Sequence, residues 1–81
     1  MDKITSKAID YIADHPELCK ALAEDTDRYR QEDADAGIDK VATYMYEAFL
    51  KATVEGDESP FAKANLMNVV LAIAESSGYE F

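Results

Sequence analysis

Eighty-one residues, 48% of them hydrophobic, suit one globular domain spanning 1–81 and are too few for two separate cores. Seventeen acidic against eight basic residues leave a net charge of -9, which repels phosphate backbones and anionic lipid heads and so disfavours direct binding to nucleic acid or membrane. A single cysteine, Cys19, excludes an intrachain disulfide and a multi-cysteine zinc site, and with no signal-peptide pattern or membrane-length apolar run it points to a reducing cytoplasm.

In chain order, Ile4, Ala8, Ile9, Tyr11 and Ile12 predict a first helix with Asp2 or Thr5 as its cap, ended by His15-Pro16. Proline in a first turn followed by Glu17 starts a second helix, from about Pro16 to Arg30, with Leu18, Leu22 and Tyr29 expected to face inward. Residues 31–37 have no apolar anchor larger than alanine and read equally as a loop or as a solvated extension of that helix. Ile38, Val41, Ala42, Met45, Ala48, Phe49 and Ala52 recur at three- and four-residue spacing, predicting a third, amphipathic helix with Gly56 beyond its end.

Ser59-Pro60 reads as a cap followed by proline at the first helical position, so a last helix is expected from Phe61 through Ser77, stopped by Gly78. Because residues 69–74 are apolar on every side, this helix is expected at the centre of the molecule, surrounded by the others. The expected fold class is therefore all-α, a small bundle of about four helices. Such a core leaves only about 3–5 kcal/mol of stability unless oligomerisation or very good packing adds to it.

His15 and Cys19, four residues apart, are the one arrangement resembling a thiol–imidazole dyad. The competing reading prevails: His15 precedes a proline and lies outside the helix, while Cys19 beside Leu18 and Leu22 is a small core residue. One histidine and one cysteine do not make a structural zinc set, and calcium-loop frames starting at Asp25 or Asp33 put the wrong residues at the glycine and at the ligand positions. No catalytic residue, metal site or cofactor is expected, and the chain reads as a binding protein, not an enzyme.

The acids are the candidate site. Glu24, Asp25, Asp27, Glu32, Asp33, Asp35 and Asp39 stand against only Arg28 and Arg30 in that stretch, and Glu55, Asp57 and Glu58 form a second group. If residues 24–39 were one continuous helix, Asp25, Glu32, Asp35 and Asp39 would share a stripe of roughly 80°. Rows of carboxylates on a rigid scaffold can imitate duplex DNA, which carries about one charge per 1.7 Å of axis. The plainer alternative is that they only keep a small domain soluble. Tyr44 and Tyr46 flank Met45, so at least one of them is expected to point away from the core, and both are candidates for an aromatic contact, the alternative being that they border the core with wet hydroxyls.

Acyl carrier proteins share this length, acidity and helix content, but their prosthetic group sits on the serine of an Asp-Ser-Leu motif, whereas the nearest segment here is Glu58-Ser59-Pro60. By size, charge and helix content over the whole chain, and by no motif, the sequence resembles small acidic proteins of phages and mobile elements, among them antirestriction and anti-CRISPR inhibitors and DNA mimics. That resemblance implies occlusion of a basic, nucleic-acid-binding surface on a host defence protein. The alternative is a homodimeric helical adaptor or regulatory module mating through Tyr44 and Tyr46.

Overall fold

The computed structural model describes residues 1–53 and 59–81, and in it four helices follow one another: α1 (Lys3–Asp14), α2 (Pro16–Glu32), α3 (Ile38–Ala52) and α4 (Leu66–Ser77). Among the described residues there is no strand, and the all-α class expected from periodicity is the observed one. Gly56, expected beyond the end of α3, lies outside the described residues. No helix among the described residues is long and apolar enough to cross a membrane.

Asp2 caps α1, its carboxylate accepting from the Thr5 backbone N–H at 2.7 Å and from the Thr5 hydroxyl at 2.9 Å. At His15 the chain turns straight into α2, with Pro16 in the first turn where its missing N–H costs nothing. The Cys19 thiol closes the corner by donating to the Ile12 carbonyl at 3.5 Å. α2 buries Cys19, Leu22 and Thr26, whereas Leu18 and Tyr29, expected inside, are half-buried at the margin of the core. Thr26 can enter because its hydroxyl donates to the Leu22 carbonyl one turn back, at 2.7 Å, leaving only its methyl for packing.

The 31–37 segment resolves into both alternatives. α2 continues through Glu32, Asp33 caps it with its N–H on the Tyr29 carbonyl, and a turn leads to Gly37. α3 buries Val41, Ala42, Met45, Tyr46 and Phe49. Ile38, included in the inward pattern, is instead 63% exposed, because it opens the helix one turn before the core begins.

The last helix departs from expectation at its start. Ser59 does act as a local cap, its hydroxyl accepting from the Phe61 N–H at 3.2 Å, but the chain only makes turns until Asn65 caps a helix beginning at Leu66. The backbone groups that would have continued a helix are taken by the rest of the protein. The Tyr46 hydroxyl lies 3.0–3.1 Å from the carbonyl oxygens of Phe61, Ala62 and Ala64, sharing one proton among them. The Asn65 N–H donates to the Thr5 hydroxyl oxygen at 2.9 Å, tying the connector to α1. Phe61 thereby packs on Tyr11 and Phe49, with ring centroids 5.4 and 5.5 Å away.

α4 packs on each of the other three helices and buries Val69, Val70, Ile73 and Ala74, but it is not surrounded. Met67 and Leu71, four residues apart on one face, are 48% and 51% exposed. An apolar run thus marks contact with several neighbours without enclosing the whole circumference. Gly78 ends the helix at φ 75°, the left-handed conformation in which a Cβ is disfavoured, and its N–H bonds the Ala74 carbonyl at 2.8 Å.

Phe49, Ile12, Met45, Ile73, Val69 and Val70 are the largest fully buried side chains, each contributing about 1.5–3 kcal/mol of apolar transfer. Placement of α4 against them rests on the hydroxyl contacts of the connector. Tyr46→Phe and Thr5→Val are each expected to lower unfolding free energy by about 1–3 kcal/mol, because buried backbone groups lose their partners. Thr43→Val, at an exposed position, is expected to stay within about 0.5 kcal/mol. Urea unfolding of the three variants checks the order.

Candidate functional site

The carboxylates of 24–39 are displayed from three elements, not one. Glu24 and Asp27 are exposed on α2, Asp25 is half-buried against α3, and Glu32 is exposed in the last turn of α2. Asp33 caps that helix, Asp35 lies in the turn and Asp39 in the first turn of α3. The single stripe through Asp25, Glu32, Asp35 and Asp39 therefore does not form, since the helix stops at Glu32. What forms is an acidic corner where α2 hands over to α3, with Glu24 and Asp27 set apart from it by the twist of α2. Glu55, Asp57 and Glu58 lie outside the described residues.

Tyr44 and Tyr46 separate as helical geometry requires, in the sense opposite to a shared contact patch. Tyr46 is 8% exposed with its hydroxyl committed to the connector, which removes it from the surface. Tyr44 is half-buried between α2 and α3, its ring parallel to that of Tyr29 with centroids 4.2 Å apart and 3° between planes. Its hydroxyl donates to Asp25 at 3.0 Å, and Arg28 donates to the other oxygen of the same carboxylate at 2.8 Å.

This arrangement fixes charge as well as shape. The Arg28 hydrogen bond first, then that of Tyr44, holds the Asp25 carboxyl below the usual carboxylate range against the opposing effect of burial. The same Asp25 contact, helped by burial, pushes the Tyr44 phenol up, and burial alone raises that of Tyr46. Asp25 is thus a positioning residue for the aromatic pair and not a free surface charge. Asp33 also has a cation nearby, Lys40 at 3.9 Å. Among the described residues these are the two carboxylates within 4 Å of a cationic side chain.

Two hollows flank Tyr44. One, of about 300 Å³, is lined by Tyr29, Asp39, Lys40, Thr43, Tyr44 and Glu47; the other, of about 110 Å³, by Asp25, Tyr44, Glu47, Ala48 and Lys51. Glu47, Lys40 and Lys51 were not among the residues expected here, yet Lys40, Tyr44, Glu47 and Lys51 stand four, three and four apart. That spacing places them on one side of α3, a signal the sequence carried.

His15 and Cys19 are turned to different tasks. Cys19 is fully buried, while exposed His15 stacks on Tyr11 with centroids 3.9 Å apart and donates from Nδ1 to the Tyr11 carbonyl at 2.7 Å. Among the described residues no three His, Cys, Asp or Glu side chains converge into a group able to hold a metal ion. Compared with known families, curated proteins and solved structures, the chain matches no family model and finds no significant match in either of the other two.

The Asp25 contacts generate a pH prediction. A carboxyl with a depressed folded pKa adds stability that is present above its unfolded pKa and is lost as pH falls through the folded value. Asp25→Asn is therefore expected to lower stability at neutral pH and to flatten the acid limb of the stability curve below the usual carboxylate range. Denaturation midpoints of both proteins across that range provide the check.

Proposed function

We propose that the protein is a non-catalytic binding protein of the inhibitor type, whose exposed carboxylates on α2 and at the corner between α2 and α3 occupy a basic, nucleic-acid-binding surface of another protein. Host defence proteins are the class of target, as for antirestriction and anti-CRISPR inhibitors of phages and mobile elements, and the cytoplasm is the place of action. The observation that carries this reading is the surplus of carboxylates presented from α2, α3 and the turn between them without compensating cations. Seventeen acids face eight bases across the chain, and Glu24, Asp27, Glu32, Asp35 and Asp39 are all exposed. A field of this sign speeds encounter with basic surfaces and rejects nucleic acid itself.

The adaptor reading draws on a different feature. With Tyr46 buried, a twin interface through both tyrosines is no longer available. The exposed pair Met67 and Leu71 on α4 favours an apolar contact there instead. Sedimentation of a Leu71→Lys variant beside the parent protein separates the two ideas, since only the adaptor predicts a salt-resistant dimer that the substitution dissolves.

For the inhibitor reading the decisive comparison is between the parent protein and a variant carrying amides at Glu24, Asp27, Glu32, Asp35 and Asp39. Immobilised parent protein is expected to retain nucleic-acid-binding proteins from bacterial lysate at low salt and to release them to competing duplex DNA. The amide variant should bind the same partner at least about tenfold more weakly. Equal retention by both proteins, or recovery of only acidic or apolar partners regardless of salt, would overturn the proposal.

A further inference from the structure

We infer that the hollow beside the Tyr29–Tyr44 stack is a seat for one arginine side chain of the basic partner, an assignment that rests on reading the acidic corner as a surface for such a protein. The cavity of about 300 Å³ is at the lower limit of small-molecule pockets, a size for a single side chain. Its walls have the chemistry that a guanidinium recognises. Tyr29 and Tyr44 supply aromatic surface, held in place by the Asp25 and Arg28 contacts. Glu47, one turn along α3 from Tyr44, supplies a carboxylate within reach of a cation resting on that ring. Asp39 stands eight residues before Glu47, about 12 Å along the helix axis, and adds negative potential at the far end of the hollow.

Among the described residues neither Glu47 nor Asp39 has a cationic side chain within 4 Å, so both carboxylates are available to an incoming charge. Lys40 lines the same hollow, with its Nζ 3.9 Å from Asp33, which is not among the lining residues. A planar, weakly hydrated guanidinium stacks flat on a tyrosine and meets a carboxylate through two parallel N–H groups, whereas an ammonium meets the ring only as a strongly hydrated point charge and has no such fork. The seat should therefore prefer arginine over lysine at equal charge. The general attraction of the acidic surface makes no such distinction.

The test is an NMR titration of the isotopically labelled full chain with two peptides of equal length and charge, one built on Arg-Gly repeats and one on Lys-Gly repeats, with free arginine as a third probe. The arginine peptide is expected to shift the amides of Tyr29, Thr43, Tyr44 and Glu47 and to bind about tenfold more tightly than the lysine peptide. Glu47→Gln, a change at an exposed position, should bring the two peptides to similar affinity while Glu75→Gln, exposed on α4, leaves the preference intact. Equal affinities for the parent protein, or shifts confined to residues around Glu24 and Asp27, would remove the seat and leave the acidic-surface reading standing. Binding of neither peptide, together with no retention of basic proteins, would remove both. Free arginine binding as tightly as the peptide would mean a small guanidinium ligand in place of a protein, and would overturn the assignment.

Discussion

Burying a carboxylate in an apolar core costs several kcal/mol unless it is fully paired, and that penalty organises this protein. Among the described residues the interior admits no charged side chain; its hydroxyls are those of Thr5, Thr26, Tyr46, Thr53 and Ser59. With only eight cationic residues for seventeen acids, the acids are driven outward and crowd a surface that small domains have in excess. Helix ends absorb a few of them: Asp2 caps α1, and Glu17 and Asp39 lie in the first turns of α2 and α3, where the helix dipole favours negative charge.

A small core under that repulsion is held by contacts that locate elements in addition to those that bury area. Tyr46 and Thr5 grip the backbone of 61–65, and the hydroxyls of Thr53 and Ser59 share a hydrogen bond of 2.7 Å. No buried side-chain nitrogen or oxygen among the described residues lacks a partner, so each hydroxyl recovers its desolvation cost while fixing where α4 begins. At the opposite end Arg30 donates to the Tyr79 hydroxyl and the Glu80 carbonyl, both at 3.1 Å, drawing the residues after Gly78 back onto α2. The same economy shapes the face between α2 and α3, where Asp25 holds Tyr44 against Tyr29.

Features encoded within a few residues were legible in the sequence. The α1 cap, which falls to Asp2 of the two residues offered, the His15-Pro16 break, the periodicity of α3 from Val41 to Phe49 and the stop at Gly78 each depend on neighbours in the chain, while Ile38 and Ala52 at the ends of the α3 pattern are exposed. The start of α4 was not legible, because the local cap at Ser59 is real but long-range bonds from Tyr46 and Thr5 outcompete helix growth. Tyr46 itself was misplaced for the same reason: a phenol looks like an interface residue until three carbonyls from a distant turn are brought to it. The acidic stripe failed because one turn at 33–37 divides the segment that its geometry required to be helical. Within the candidate site the individual acids and the spacing of Glu47 from Tyr44 could be read from the chain, whereas the stacking of Tyr29 on Tyr44 depends on how α2 and α3 meet.

The acidic surface thus carries an energetic cost in the free protein that a cationic partner would relieve. Like charges spaced over so small a surface repel, and only two carboxylates among the described residues have a cation within 4 Å. Screening by salt tests this directly, because the Debye length shrinks from about 30 Å at 0.01 M to about 10 Å at 0.1 M ionic strength. If uncompensated negative charge dominates the surface, the thermal unfolding midpoint at neutral pH rises as sodium chloride is added over that range. A midpoint that falls would mean that attractive ion pairs prevail, and would contradict the account.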